Sequence, residues 1–353
     1  MSDKIKLGIA GTGLISNIFA RFALQDGQYD IKSVLATQPV KATAFIDGIK
    51  AQPLPIDPRT EESLEQADQP AADLDDFWPS LHTKLEAFLA SDIDTVYLGT
   101  PNSLHFKQAK AALLSQKNVI VEKPAVTEPD QFEELLEIAQ SNQVHIIEAF
   151  RHIWDPNFRL IQNELEEFDA LSGVSLAFRQ YSSRYDDLKK GIIANVFKRE
   201  LAGGALGDIG VYLISSLVAL FGEPKTVKLY PRYLITGVDG NGIAILSYPG
   251  FDAVCQFSKN QASHQVCEFY DNSGNILSTD NIATLAWVKL NDKIISQGNP
   301  MRVDLSQEIH AFPQLFAGAD NLAWTIDEIN QISRLTHKTI GRLWESTKTN
   351  EPA

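Results

Sequence analysis

Through the first 150 residues, short apolar runs alternate with longer stretches whose apolar residues recur every three or four positions. The runs at 4–10, 30–36, 95–99, 118–122 and 144–149 read as strands. Val119-Ile120-Val121 is apolar without a break, as in a parallel strand buried on both faces. The stretches at 15–24, 81–90, 105–114 and 129–141 read as helices. Thr127 is placed to cap the last of these, with Pro129 and Asp130 in its first turn. Such alternation predicts a doubly wound parallel sheet. After about residue 170 the pattern changes. The segments 174–181, 226–234, 242–248, 253–258, 265–270 and 285–290 read as strands joined by turns such as Asp239-Gly-Asn-Gly and Asp271-Asn-Ser-Gly. Helices are expected at 206–221 and 321–344. The chain should therefore hold a parallel α/β domain at 1–150 and, at 151–353, an α+β domain with a large, mainly antiparallel open sheet. Ala253, Cys255 and Phe257 alternate with Val254, Gln256 and Ser258, which gives that sheet two unequal faces.

Candidate chemistry gathers where open parallel sheets bind ligands, at the carboxyl ends of the strands. The first strand runs into Gly11-Thr12-Gly13-Leu14-Ile15-Ser16, which opens a helix. Gly11 permits a tight turn, Gly13 lets the backbone approach a pyrophosphate, and the helix N-terminus offers unpaired N–H groups. Ser16 stands where the third glycine of this Rossmann fingerprint would be. The strand at 95–99 ends in Thr100-Pro101-Asn102-Ser103-Leu104-His105; His105 taken alone reads as a surface residue of the next helix. The strand at 118–122 ends in Glu122-Lys123-Pro124, which alone is equally a salt-bridged strand end. The second strand ends in Leu35-Ala36-Thr37-Gln38-Pro39 without the acid that usually binds an NAD ribose, and Lys41 follows. The expected cofactor is therefore NAD or NADP, with a lean to NADP. A third constellation, Gly203-Gly204-Ala205-Leu206-Gly207-Asp208-Ile209-Gly210-Val211-Tyr212, places Asp208 and Tyr212 four apart on a helix.

Composition narrows the partners. With 44% hydrophobic and 22% charged residues the chain is an ordinary globular protein. Its net charge of −14 argues against nucleic acid or an anionic membrane as partner. Half of that excess lies in 57–76, where eight acidic residues accompany only Arg59, as in a solvated surface insertion. Cys255 and Cys267 are in no metal-ligand spacing, so no metal is expected. The chain enters a strand at once, without a signal-peptide core, and no apolar run approaches the roughly 20 residues that span a bilayer. A cytoplasmic protein is expected.

Together the glycine turn, the Thr-Pro-Asn loop with His105, the Glu-Lys-Pro segment and the helix carrying Asp208 and Tyr212 resemble the Gfo/Idh/MocA family of NAD(P)-dependent oxidoreductases. The resemblance implies a Rossmann domain followed by an α+β domain whose open sheet often mediates dimers, hence a homodimer or higher even oligomer. Family members commonly carry histidine where Tyr212 stands. A tyrosine there, with Glu148-Ala149-Phe150, is similar to the branch of glucose-fructose oxidoreductase and dimeric dihydrodiol dehydrogenase. That branch continues with a His-Pro pair, whereas this chain reads Arg151-His152-Ile153-Trp154-Asp155-Pro156. The substrate-facing residues implied are Arg151, His152, Asp208 and Tyr212. The implied activity is hydride transfer between nicotinamide and the CH–OH or carbonyl carbon of a sugar, polyol or trans-dihydrodiol, with Lys123, Tyr212 and Asp208 catalytic. Cofactor contacts would come from Gly11, Thr12, Gly13, Leu14, Ile15, Thr37, Lys41, Thr100, Pro101, Asn102, His105, Glu122 and Lys123. The alternatives are an NAD-dependent glycoside hydrolase and a non-catalytic dinucleotide-binding regulator of the same fold.

Overall fold

The structure, a computed structural model, describes residues 4–50, 77–298 and 303–348. The acidic segment 57–76 lies outside them. The chain divides into two compact units. The first comprises Met1–Val126, Asp130–Ala149 and Leu305–Asn330, so the chain returns to it late.

Six parallel strands form the first unit's sheet: β1 (Ile5–Ala10), β2 (Tyr29–Leu35), β3 (Ser80–His82), β4 (Thr95–Leu98), β5 (Asn118–Glu122) and β6 (Ile146–Ala149). Their order is β3-β2-β1-β4-β5-β6. Leu7, Ile9, Val96, Leu98, Val119, Val121 and Ile146 are buried, which explains the unbroken apolar runs. The strand order reverses between β1 and β4, so the loops leaving these two neighbours diverge and open a crevice at the carboxyl edge. Helices α1 (Leu14–Asp26), α2 (Pro39–Lys50), α3 (Leu85–Leu89), α4 (Asn102–Leu114) and α5 (Pro129–Asn142) make the crossovers. The helix expected over 81–90 is confined to α3, because 80–82 pairs along Ser33–Leu35 as an edge strand. The late return supplies α9 (Ser306–Phe316), which the sequence pattern missed. It is tied to β2 by the Tyr29 hydroxyl, donating to the Ile309 carbonyl at 2.6 Å.

The second unit carries eight strands: β7 (Leu171–Arg179), β8 (Thr226–Tyr233), β9 (Asp239–Tyr248), β10 (Phe251–Ser258), β11 (Cys267–Asp271), β12 (Ile276–Thr279), β13 (Trp287–Leu290) and β14 (Lys293–Gln297). Their order is β14-β13-β12-β11-β7-β10-β9-β8, antiparallel except for the parallel pair β7–β10. On β10, Ala253, Cys255 and Phe257 are buried and Val254 and Gln256 only half-buried, as the alternation predicts; Ser258 departs from it and is buried, its hydroxyl accepting the Asn260 and Gln261 N–H groups. The turn expected at 239–242 is instead strand. The reversal comes earlier, where Gly237 adopts φ 80° and the Leu234 N–H donates to the Val238 carbonyl at 2.8 Å. Gly240 and Gly242 serve packing: an added Cβ would meet Leu234 at 2.5 Å and Phe257 at 2.6 Å respectively.

Helix α6 (Pro156–Glu166) is capped by Asp155, whose side chain accepts the Asn157 N–H. Helix α7 (Tyr185–Lys189) is short, and α8 (Val211–Phe221) continues from a π turn, Leu206–Gly210. The helix expected at 321–344 is α10 (Ile326–Lys348). Contrary to expectation, the stretch Arg199–Phe221 is long and apolar enough to cross a bilayer, yet 72% of its most apolar window is buried within the protein. It serves as a core element.

Candidate active site

The glycine turn is built on the switch point. The Gly11 N–H donates to the Leu35 carbonyl at 3.0 Å, and the Gly99 N–H to the Ala10 carbonyl at 2.9 Å, so the turn continues the sheet on both sides. Gly11 has φ +99°, and an added Cβ would lie 2.5 Å from the Gly99 carbonyl oxygen. A Cβ at Gly99 would collide with Ser16 Oγ, so Ser16 fills the space where helix meets strand. Gly13 differs: it caps α1, is exposed, and nothing lies within 4 Å of its would-be Cβ. Space over a helix N-terminus fits a pyrophosphate. Thr12, Leu14 and Ile15 are half-buried around it.

Three buried polar groups hold the Glu122-Lys123-Pro124 segment, whose Lys123–Pro124 bond is cis. The Tyr97 hydroxyl donates to Glu122 Oε1 at 2.8 Å. The Tyr97 ring is fixed in turn by stacking on Phe19, with centroids 3.8 Å apart. Glu148 Oε1 accepts the Ala125 N–H at 2.8 Å. His105 is not a surface residue: 1% exposed, it places Nδ1 2.9 Å from the Pro124 carbonyl and Nε2 2.8 Å from the Thr100 carbonyl. Burial pushes its pKa down, against the pull of the two carbonyls. A neutral ring donates to one carbonyl, a protonated ring to both. His105 thus bridges the Thr100-Pro101-Asn102 loop and the Lys123 segment. Lys123 itself is half-exposed. Thr37, at the end of β2, and Lys41, in the first turn of α2, are exposed.

In the second unit the π turn leads directly to Tyr212. Such turns re-aim side chains and recur at functional sites; this one alters the α-helical spacing expected of Asp208 and Tyr212. The Arg151 guanidinium lies 5.3 Å from the Tyr212 ring centroid, and the His152 ring meets it edge-on at 5.1 Å. His152 Nε2 is 3.1 Å from Ser215 Oγ, whose own proton goes to the Val211 carbonyl at 2.7 Å. His152 therefore donates from Nε2. The Tyr212 carbonyl accepts from Ser216 Oγ at 2.7 Å, fixing the helix beneath the ring.

The glycines ahead of Tyr212 serve different ends. Gly203 and Gly204 are required by close neighbours: an added Cβ would collide with the Val196 carbonyl and with Asp239 Oδ1 respectively. Asp239 Oδ2 accepts the Leu206 N–H at 2.6 Å, and burial pushes its pKa up to about 6. Gly207 faces open space beside Asp208. Asp208 itself is ion-paired with Lys259.

The sequence-predicted residues thus fall into two constellations, one per unit: Gly11–Ile15, Thr100–Asn102, His105 and Glu122–Lys123 in the first, and Arg151, His152, Asp208 and Tyr212 in the second. Tyr97, Asp239 and Lys259 were missed. Lys259 carried a usable signal, since like Lys123 it directly follows an apolar strand.

Residues 5–150 match the model of the oxidoreductase family with an NAD-binding Rossmann fold, and residues 174–277 match the GFO/IDH/MocA C-terminal domain. The uncharacterized oxidoreductase YgjR of Escherichia coli is 31% identical over 99% of this chain and 98% of its own length. The chain belongs to the Gfo/Idh/MocA family of oxidoreductases. Another Gfo/Idh/MocA relative, the scyllo-inositol 2-dehydrogenase (NADP(+)) IolU of Bacillus subtilis, is 40% identical over 194 residues, 55% of this chain and 59% of that protein. The fold is shared with a 3-ketoreductase from Actinomadura kijaniata in complex with TDP-benzene and NADP, in its open conformation, with a TM-score of 0.74, 20% identity and 98% of each chain covered. The open space at Gly13 and the braced turn at Gly11 fit the NAD or NADP that this family binds.

Proposed function

We propose that this protein is an NAD(P)-dependent dehydrogenase or reductase acting on a CH–OH or carbonyl carbon of a polyol, sugar or trans-dihydrodiol. The observation that carries the reading is the grouping of Arg151 and His152 around the ring of Tyr212, on the helix whose start also bears Asp208. Residues 1–150 hold the dinucleotide, and residues 151–353 hold the substrate and the partner subunit. The nicotinamide, when bound, accepts or donates the hydride. The protein's task is the proton. In the oxidative direction Tyr212 takes the proton of the substrate hydroxyl, and Lys123 steadies the oxygen that loses it. Asp208, Arg151 and His152 orient the remaining hydroxyls.

NADP is favoured over NAD. From Ala36 to Lys41 there is no acid to repel a 2′-phosphate, and exposed Lys41 in the first turn of α2 supplies a cation beside a helix N-terminus. The more open face of the second unit's sheet, where exposed Ile243 pairs with exposed Tyr230, is read as the contact with a second copy in a homodimer or higher even oligomer. Buried, unpaired Cys255 and Cys267 accord with a reducing, cytoplasmic setting.

The test is a panel of inositols, aldoses and trans-dihydrodiols with NADP(+) or NAD(+), followed at 340 nm and led by scyllo-inositol on the strength of the IolU match. Cofactor reduction with at least one polyol or sugar is expected, with NADP(+) preferred. Cleavage of a nitrophenyl glycoside without net cofactor reduction, or dinucleotide binding with no turnover at all, would overturn the reading. Light scattering at micromolar concentration should return an even multiple of the 39.1 kDa chain.

A further inference from the structure

Lys259 immediately follows β10, and its side chain is 9% exposed against 37% for its ion-pair partner Asp208. Burying an ammonium is costly unless its geometry and partners are good. Here the backbone fixes the geometry. The Lys259 N–H donates to the Gly240 carbonyl at 2.8 Å, and its carbonyl accepts the Ser182 N–H at 2.8 Å, so the residue is pinned to the segments on either side of β10. Phe257, two residues earlier, packs within 3.2 Å of the Cβ position of Gly210, at the end of the π turn. Asp239, whose carboxylate accepts the Leu206 N–H at the start of the same turn, directly precedes Gly240, whose carbonyl holds the Lys259 N–H. One buried cation is therefore paired with a half-exposed carboxylate beside open Gly207.

We propose that Lys259 is a positioning residue for the reaction: its buried ammonium fixes the Asp208 carboxylate, and with it the π turn that presents Tyr212. This rests on the reading of Asp208 and Tyr212 as site residues given above. A surface ion pair would contribute little and tolerate loss of either partner. A desolvated lysine aimed at a half-exposed carboxylate instead sets where a substrate hydroxyl finds its acceptor.

The test uses the full-length chain with Lys259→Met, Lys259→Arg, Asp208→Asn, Tyr212→Phe and the double variant Lys259→Met/Asp208→Asn. Urea unfolding midpoints, NADPH affinity by fluorescence titration, and kcat and KM on the panel compound turned over by the wild type are measured. Lys259→Met should lower kcat tenfold or more and leave NADPH affinity within twofold. Lys259→Arg should recover kcat to within about threefold of wild type. The double variant should unfold no earlier than Lys259→Met alone. Additive unfolding effects would overturn the proposal without any substrate being needed. If Lys259→Met does not fold, Asp208→Asn carries the decision: it must lower kcat tenfold or more, and a wild-type kcat overturns the proposal. Tyr212→Phe separates the two failures. A wild-type rate in Tyr212→Phe sinks the site reading and the proposal with it. A collapsed rate there, beside a wild-type rate in Lys259→Met, sinks the proposal alone.

Discussion

The Arg151 guanidinium lies 5.3 Å from the centre of the Tyr212 ring. Arg151 starts the short 3-10 helix Arg151–Trp154 that follows β6, and it belongs to the same unit as Tyr212. A cation over an aromatic face contributes about 0.5–2 kcal/mol depending on solvation. Arg151→Met should accordingly lower kcat/KM about tenfold without changing dinucleotide affinity. Arg151→Lys should recover only part, because an ammonium lacks the planar stacking of a guanidinium. Steady-state kinetics on the panel substrate check this; full activity in Arg151→Met would remove Arg151 from the site.

The glycines of the first turn should separate in their effects. Gly13→Val has open space for its side chain and should fold with little change in Tm, yet weaken NADPH binding tenfold or more. Gly11→Val is strained at φ +99° and crowds Gly99, so stability should fall by about 1–3 kcal/mol. Thermal melts and NADPH titration of both variants decide. Unchanged affinity in Gly13→Val would make the turn merely structural.

Much of this was legible in one dimension because local chemistry and global fold agree. Val119-Ile120-Val121 reads as a buried parallel strand and is one. The spacing of Gly11 and Gly13 marks a turn that the switch point then uses. What escaped depends on contacts distant in sequence. Asp239 in an Asp-Gly-Asn-Gly string looks like a turn, yet its carboxylate is claimed by Leu206, 33 residues away, and the segment is drawn into β9. His105 looks like an exposed residue of a first helical turn, but two carbonyls from separate loops hold it inside. Tyr97 sits in an apolar strand and reads as core until Glu122 is seen to accept its hydroxyl.

Asp239 also gives a pH dependence with a definite sign. Its folded pKa of about 6 lies above the ordinary value of 3.8, so the folded chain retains a proton that the unfolded chain releases between those pH values. Its contribution to stability is full below about pH 4 and is lost as the pH rises through 6, on the order of 3 kcal/mol in all. Asp239→Asn should remove that slope. Urea unfolding of wild type and variant from pH 4 to 7.5 should give stability differences that shift steadily in favour of the variant as pH rises. A difference independent of pH would contradict the assignment.

Tyr97→Phe removes only the hydroxyl that donates to buried Glu122. A buried carboxyl deprived of a donor costs about 1–3 kcal/mol. Tm should fall by several degrees, and NADPH affinity should weaken because Glu122 precedes Lys123 directly. Phe19, which stacks on Tyr97, provides the control: Phe19→Leu should lower Tm but leave affinity nearer wild type. Equal affinities in all three proteins would confine Tyr97 to packing.

The proposed role of Tyr212 and Lys123 is to manage together the proton of a dinucleotide-linked hydride transfer. Its most direct test is the initial rate of NADP(+) reduction at 340 nm on the panel substrate for wild type, Tyr212→Phe, Lys123→Met and the double variant. Tyr212→Phe should lose about 10²–10⁴-fold with unchanged NADPH affinity, the usual contribution of a positioned acid/base. Lys123→Met should lose at least as much, and the double variant should be little worse than either, as for groups that act as one unit. A wild-type rate in Tyr212→Phe would contradict the claim, and fully additive losses would show two groups acting independently.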